Sequence, residues 1–193
     1  MWWLRPRGAW RKARVLARLA LVLAAAGLTA GCFEPLYGAH PTPGGDSVHD
    51  KLASIVLAPT KPAKGTPQER VSVELNNALQ FSLGGGAGLS ASTATYRLDI
   101  TSTPTEITVV IDPNTGRPET QIGRVVASYT LVEIATGKAV VRDSTIAEVD
   151  YDIPGPQQRF AKQRAQLDSQ DRATNVVAEA IRNRLASYFV AGT

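Results

Sequence analysis

The pattern of apolar and polar residues changes its period several times along the chain, and each period predicts a different element. Residues 52–58 are mostly apolar, β-branched in the middle and stopped by Pro59, which is typical of a largely buried strand. Residues 66–69, Thr-Pro-Gln-Glu, provide an N-cap hydroxyl, a proline at the first helical position and a glutamate at the third, and so predict the start of a helix. Up to Gly84, apolar residues then recur at steps of three and four in one stripe: Val71, Leu75, Ala78, Leu79 and Leu83.

The middle of the chain alternates with a period of two. Residues 96–101 place Tyr, Leu and Ile at every second position with Arg, Asp and Thr between them, as in a strand with one buried and one wet face. Beyond Pro104, residues 106–111 either continue this strand past a bulge or bend away from it. The sequence leaves both alternatives open.

Two further strands follow, each after a turn. Residues 112–118 form a turn by composition, and residues 125–132 alternate again. The Thr136-Gly137 turn then leads into a strand over residues 141–149. Three consecutive strands joined by turns predict an antiparallel meander.

The chain ends in residues 157–190, which contain neither proline nor glycine and predict one long helix. Its first half has few apolar residues, mainly Phe160 and Leu167, so we expect this half to project past the sheet. Its second half is the stronger amphipath. The apolar stripe of this half consists of Ala173, Val176, Val177, Ala180, Ile181, Leu185 and Tyr188.

The order of elements is therefore β-α-β-β-β-α within a single domain over residues 51–193. Two helices with one apolar stripe each fit against one face of a four-stranded mixed sheet, which makes an α/β two-layer sandwich. The other face would stay uncovered and carry Arg97, Asp99 and Thr101, or the alternate residues of the neighbouring strands. We expect this open, mixed face to be a contact surface.

The first 31 residues have the layout of an export signal. Residues 1–18 carry six basic residues and no acidic one, and residues 19–31 are an uninterrupted run of apolar and small residues. At about 1.5 Å per residue this run is too short to cross a hydrocarbon core of about 30 Å as a helix. We expect residues 1–31 to be a cleaved signal peptide.

Cys32, the only cysteine of the chain, directly follows the small residues Ala30 and Gly31. This arrangement resembles the lipobox of bacterial lipoproteins, in which the cysteine sulfur receives a diacylglyceryl group and becomes the mature N-terminus. The alternative role of a lone cysteine, a small buried apolar residue, fits the end of an export signal poorly. Phe33 at the next position favours the outer membrane over the inner one in such lipoproteins. Residues 32–50 are then a lipidated N-terminus and a flexible tether rich in proline and glycine.

Removing the leader changes the charge of the chain. The full sequence has a net charge of +4, but residues 32–193 retain 15 Lys and Arg against 17 Asp and Glu, or about −2. The basic character therefore belongs to the leader, and we expect no nucleic-acid partner. A single cysteine also excludes an intramolecular disulfide.

The sequence offers little for catalysis, metals or cofactors. The two histidines, His40 and His49, lie nine residues apart in the tether, so we expect no metal site. The glycine cluster at residues 84–88 follows a helix instead of opening one, which is the wrong order for a phosphate loop. Asp150 and Asp152 share one strand face but lack a supporting base or nucleophile. We therefore expect no enzymatic activity and no cofactor.

The heptapeptide Cys-Phe-Glu-Pro-Leu-Tyr-Gly at residues 32–38 carries a specific resemblance. It resembles the mature start of the LptE family of lipopolysaccharide-assembly lipoproteins as found in alphaproteobacteria. The hairpin at residues 129–137, the Asp-Tyr-Asp strand end at residues 150–152 and the alanine-rich C-terminal helix are also similar to that family. The resemblance covers nearly all of the mature chain, but only residues 32–38 are a sharp match.

The resemblance implies a lipoprotein on the periplasmic side of the outer membrane, anchored through Cys32. Its partners would be the outer-membrane β-barrel that translocates lipopolysaccharide, which it plugs and helps to assemble, and lipopolysaccharide itself. Relatives contact lipopolysaccharide through basic residues near strand ends, which makes Arg117, Arg124 and Lys138 the candidates here, in or beside turns. The alternative is an auxiliary lipoprotein that binds a lipid or solute against its exposed sheet face.

Overall fold

The computed structural model of the chain describes residues 47–85, 94–153 and 158–191, all within one compact unit. The export signal, Cys32 and most of the tether lie outside the described residues and stay predictions. The described elements are helix α1 (Val48–Ala53), strand β1 (Ile55–Leu57), helix α2 (Pro67–Gly84), strands β2 (Tyr96–Ile111), β3 (Pro118–Glu133) and β4 (Ala139–Asp152), and helix α3 (Arg159–Ala191).

The four strands form one mixed sheet in the order β1-β2-β3-β4. β1 pairs with β2 in parallel, whereas β2, β3 and β4 form an antiparallel meander. β2 and β3 have 16 residues each, so at about 3.3 Å per residue each is about 50 Å long. α2 and α3 pack on one face of the sheet. The predicted two-layer α/β sandwich is confirmed.

The beginning of the domain differs from the sequence prediction, which placed a strand over residues 52–58. The chain instead forms α1, whose first turn is closed by a capping box: the Asp50 amide donates to the Ser47 hydroxyl, and the Ser47 amide donates to the Asp50 carboxylate. Val48 and Leu52 are both buried, because residues four apart share one helix face. Of the residues predicted as a strand, only Ile55–Leu57 form one, which is β1. The predicted tether therefore ends before Ser47 and not at residue 50.

β2 is longer than its alternating pattern indicated, because it continues through Pro104. Pro104 pairs in register with Val125 of β3. The Ala58 amide donates to the carbonyl of Leu98 on the β1 side of the strand. Backbone groups of a strand alternate in direction, so the nitrogen of Pro104, six residues after Leu98, faces the same outer side. Proline lacks an N–H, but no hydrogen bond to β3 is lost on that side. Of the two alternatives, continuation is correct, and the pairing becomes irregular only from Thr108 onward.

The core fills the space between the helices and one face of the sheet. The predicted stripe of α2 is buried, apart from half-buried Ala78, and the predicted C-terminal helix is confirmed as α3. Within its predicted stripe Val176 is wrong, because this residue is exposed. Residues 159–164 of α3 are exposed, with Phe160 at 84%. The largest fully buried side chains are Leu52, Ile55, Leu75, Leu79, Leu83, Leu98, Leu131, Ile181, Leu185, Val71, Val125 and Val177.

A polar cluster joins both helices to β2. Arg70 of α2 places Nη1 2.6 Å from Asp171 Oδ1 of α3, and its Nη2 donates to Gln170 Oε1 at 2.8 Å. Gln170 and Gln166 of α3 donate to the carboxylate of Glu106 on β2. Hydrogen bonds thus replace apolar contacts where α3 leaves the core.

α3 approaches the sheet closely at Gly123 of β3. A Cβ atom at this position would overlap with Ser169 Oγ and lie 3.3 Å from Ser169 Cβ. Ser169 is fully buried, and its hydroxyl donates to the Gln166 carbonyl within α3. The backbone of Gly123 is ordinary strand, so the glycine is required here for space and not for conformation.

We expect Gly123→Ala to lower the free energy of unfolding by about 1–3 kcal/mol, because the methyl group forces α3 away from β3. Combining it with Ser169→Ala removes the overlapping hydroxyl and should recover part of this loss. Urea unfolding of the two variants and of Ser169→Ala alone measures both effects. An equal loss in the single and the double variant would contradict the steric explanation.

Tyr129 gives the fold a dependence on alkaline pH. The side chain is 3% exposed, and burial, followed by the charge of Asp143, raises its pKa from 10.0 to about 12. The folded state therefore holds the phenol proton more tightly than the unfolded state. This contribution to stability is complete below pH 10 and is lost as the pH rises to about 12.

We expect the urea midpoint of the chain to fall across this pH window and Tyr129→Phe to flatten the fall. Burial also raises the pKa of Tyr151 to about 12, so part of the fall should persist until Tyr151→Phe is added. Burial also raises the pKa of Tyr96, so a small fall should remain in the double variant. A fall as large as that of the original chain would show that other groups cause it.

Candidate functional site: the open face of the sheet

The second face of the sheet has no helix packed on it among the described elements, and we call it the open face. Its residues alternate with buried ones in each long strand, since Leu98 and Ile100 point into the core. The prediction that Arg97, Asp99 and Thr101 lie on the uncovered face is confirmed. The open face consists of Arg97, Asp99, Thr101, Thr103, Thr105, Ile107, Thr120, Ile122, Arg124, Val126, Ser128, Thr130, Val132, Arg142, Ser144, Ile146, Glu148, Asp150 and Asp152.

The open face is dominated by hydroxyl groups and paired charges. Thr101, Ser128 and Ser144 stand side by side in one row across the three long strands. On β2, Arg97 Nε lies 3.1 Å from Asp99 Oδ1. Such a surface is compatible with water, although two apolar cross-strand pairs, Ile107–Ile122 and Val126–Ile146, also lie on it.

A groove of about 860 Å³ crosses the open face. Two basic side chains at its lining, Lys61 and Arg142, are exposed, and neither makes an ion pair with any described residue. Thr101, Ser128 and Ser144 also line the groove. The groove is lined by residues 58–62, Gln68, Ser72, residues 99–102, residues 128–130 and residues 142–144.

The three basic residues proposed from the sequence do not meet in one place. Arg117 lies in the turn before β3 and Lys138 in the turn after it, both exposed. The 16 residues of β3 separate these two turns by about 50 Å. Arg117 and Lys138 therefore cannot bind the same phosphate group.

Arg124 does not lie beside a turn, as the sequence suggested, because β3 begins at Pro118 and not at Val125. It pairs across strands with Glu148 of β4. Its Nε and Nη2 lie 2.7 and 2.6 Å from the same carboxylate oxygen of Glu148. An anion that binds Arg124 must compete with this carboxylate.

Lys61 and Arg142 were not singled out from the sequence. Arg142 follows buried Val141, so alternation alone places it on the open face. Lys61 lies in the segment after β1, which has no periodicity. Only the fold brings the two residues to one groove, and no spacing in the sequence could have indicated it.

The acidic strand end is also resolved. Asp150 and Asp152 are exposed, and the Thr120 hydroxyl donates to Asp152 at 3.2 Å. Across residues 47–85, 94–153 and 158–191, no group of three His, Cys, Asp or Glu side chains is placed to hold a metal ion. None of the helices described is long and apolar enough to cross a membrane.

No protein-family model matches the chain, and no curated protein sequence matches it. Solved structures do. A lipoprotein from Caulobacter crescentus aligns with a TM-score of 0.57 at 22% identity, over 75% of this chain and 96% of that chain. This likeness shows that the two chains share a fold.

Two further solved structures are also described as lipoproteins. A minor lipoprotein from Acinetobacter baumannii aligns at 16% identity over 69% of this chain and 88% of that chain, and rare lipoprotein B from Shewanella oneidensis at 16% over 69% and 93%. Both TM-scores are 0.47, so these two likenesses carry no argument about this chain.

We expect Glu148→Gln to increase the affinity of the chain for a phosphorylated amphiphile such as lipopolysaccharide by about two- to fivefold. The substitution frees Arg124 from its carboxylate partner and removes one negative charge from the open face. Co-sedimentation with lipopolysaccharide measures the affinity. Adding Arg124→Gln should abolish the gain, and a gain that persists in this double variant would exclude Arg124 as the contact.

Proposed function

We propose that the chain is a lipoprotein of the outer-membrane lipopolysaccharide assembly and insertion complex. In this role it plugs the translocon β-barrel and acts as its assembly partner, anchored on the periplasmic side through Cys32. The structural observation that carries the proposal is a long two-layer sandwich whose one sheet face is bare and polar. The resemblance at residues 32–38 supplies the specific partner.

The dimensions of the sheet suit a plug. The long strands measure about 50 Å. Four strands about 4.8 Å apart, with a helix layer about 10 Å above them, are about 20–25 Å across. Outer-membrane barrels of about 22 strands have lumens that hold a folded plug, whereas small barrels are filled by their own side chains. A wide barrel is therefore the partner that this sheet fits.

The chemistry of the open face also suits a plug. The interior of a large barrel is polar, so a plug must present hydroxyl groups and charges to the wall. The open face does this with its row of hydroxyls and the ion pairs Arg97–Asp99 and Arg124–Glu148. Arg117 and Lys138, at opposite ends of β3, leave a basic side chain at each end of the plug for lipid phosphates.

The alternative, a carrier of an apolar lipid or solute, gains little support from the groove. A site for an apolar ligand is lined mainly by hydrophobic and aromatic side chains. The open-face residues that line this groove are hydroxyl or charged, among them Thr101, Ser144 and Arg142, and its apolar lining comes from Ala58, Pro59, Pro62, Ile100 and Tyr129 without a continuous aromatic or aliphatic wall. The exposed sheet face therefore favours a protein partner with a polar, hydrated surface over an apolar ligand.

We expect a heat-modifiable outer-membrane barrel to co-purify in equal amount with the tagged chain from detergent-extracted outer membranes. Cys32→Ala removes the lipid attachment site and should reduce the yield of the pair. The ratio of the two proteins on a gel, with and without heating, is the measurement. A chain that purifies alone, or with a small apolar molecule, would contradict the plug and support the carrier.

A further inference from the structure

β4 forms one edge of the sheet over its whole length, and none of the strands described pairs with its outer side. The amide of Ile153 donates to the Glu119 carbonyl of β3. Odd-numbered residues of β4 therefore direct their backbone groups to β3, and even-numbered residues direct theirs outward. The even-numbered side chains lie on the open face, where Ile146 is 60% exposed. Apart from the Ser144 amide and the Asp150 carbonyl, which are bonded to side chains of the same chain, this edge presents a row of N–H and C=O groups.

The opposite edge of the sheet is protected against pairing. β1 covers the start of β2. Further along β2, the Gln68 side chain donates to the outward carbonyl of Ser102 at 2.9 Å. Pro104 lacks the N–H that an added strand would need as a hydrogen-bond donor. β4 contains neither proline nor lysine, and its pairing with β3 is irregular only beside Val132. β4 is the less protected edge, but two of its outward backbone groups are already bonded within the chain. The Ser144 amide donates to Asp143 Oδ1 at 2.8 Å and the Asp150 carbonyl accepts from Arg172 at 3.5 Å, so a second strand must displace these two bonds.

The edge of β4 is complementary to itself in one antiparallel register. A two-fold axis at Ile146 places this residue opposite Ile146 of the second copy. Arg142 of each copy then lies opposite Asp150 of the other, so that the interface contains this charge pair two times. Outward backbone groups then face outward backbone groups. A shift by two residues would place Ile146 opposite Ser144 or Glu148, which leaves the apolar side chain unmatched.

On the helix side of this edge, the α3 side chains nearest the two-fold axis are small and apolar. Arg172 and Arg184 of α3 donate to β4 at 3.5 and 3.2 Å. The residues between them at steps of four, Val176 and Ala180, therefore lie along the edge. Val176 is 51% exposed. Small side chains in this row let the α3 helices of two copies pack at about 8–10 Å.

We propose that the β4 edge is a docking surface for a second copy of the chain. The two four-stranded sheets join into one continuous sheet with two-fold symmetry, held by backbone hydrogen bonds, two Arg142–Asp150 pairs and apolar contacts at Ile146 and Val176. The inference goes beyond the proposed plug and does not rest on it. A doubled sheet is too wide for the lumen argued above, so pairing concerns the chain outside the barrel.

The test uses the processed full-length chain, purified in detergent without any barrel protein, in sedimentation equilibrium. We expect a monomer–dimer equilibrium. Ile146→Lys places two ammonium groups opposite each other at the axis and should weaken the dimer by at least about tenfold. Thr103→Lys is the matched control: Thr103 is exposed on the same face and in the same cross-strand row, but on β2. It should leave the dimer unchanged.

A charge exchange tests the register. Arg142→Asp and Asp150→Arg should each weaken the dimer by about tenfold, because each places like charges opposite each other. The double variant reverses both charges and should return the dissociation constant to within about threefold of the original. These positions are exposed, and thermal unfolding of each variant reports any loss of fold separately.

A chain that sediments as a monomer at every concentration would overturn the proposal. A dimer that tolerates Ile146→Lys as well as it tolerates Thr103→Lys would overturn it too, since the contact would then lie elsewhere. The outcome is independent of the barrel pull-down. A dimer without any barrel partner would support the docking surface while contradicting the plug, and a monomer that co-purifies with a barrel would do the reverse.

Discussion

Burial on only one face of the sheet is the constraint on which the rest of the molecule depends. Two helices cover one face, so each long strand must place its core residues at every second position. Val125, Ala127, Tyr129 and Leu131 of β3 are buried, while Val126, Ser128 and Thr130, which alternate with them, are exposed or half-buried. The polar open face follows from this arrangement. A third helix on the other face would have required a different sequence in every strand.

The order of elements could be predicted because local signals agreed with the tertiary structure. The start of α2 was indicated by the N-cap at Thr66. The buried sides of α2 and of the strands were indicated by the apolar stripe and by the alternation of apolar residues. The strand predicted over residues 52–58 was wrong in its first part, because a short apolar run fits either a strand or one side of a helix. The capping box at Ser47 starts helix α1, which includes the beginning of this run. The first half of β3 was missed for another reason. Its helix side meets Ser169 and Tyr151 through Gly123 and Gln121, so it lacks apolar alternation.

The candidate site was less predictable than the fold. Turn composition correctly placed Arg117 and Lys138 outside the strands, but their separation depends on the length of β3, whose start carries no apolar signal. The pairing of Arg124 with Glu148 joins residues 24 positions apart, and cross-strand register decides it. A basic residue read from sequence has no known counter-charge, and the counter-charge determines whether it can bind an anion.

The two ends of the sandwich are held together by different forces. At the end near Tyr96, α3 packs through apolar and aromatic contacts, with the Tyr96 and Phe189 rings 5.2 Å apart. At the end near Glu106, the polar cluster around Arg70 joins the helices to the sheet. Beyond it Phe160 and Ile111 are exposed, although Tyr151 is still buried. Hydrogen bonds at a wet boundary contribute less net stability than buried apolar area. The Glu106 end therefore opens at a lower free energy than the Tyr96 end. In the proposed plug, this difference would place the more deformable end of the sheet near Glu106 and leave the core near Tyr96 intact.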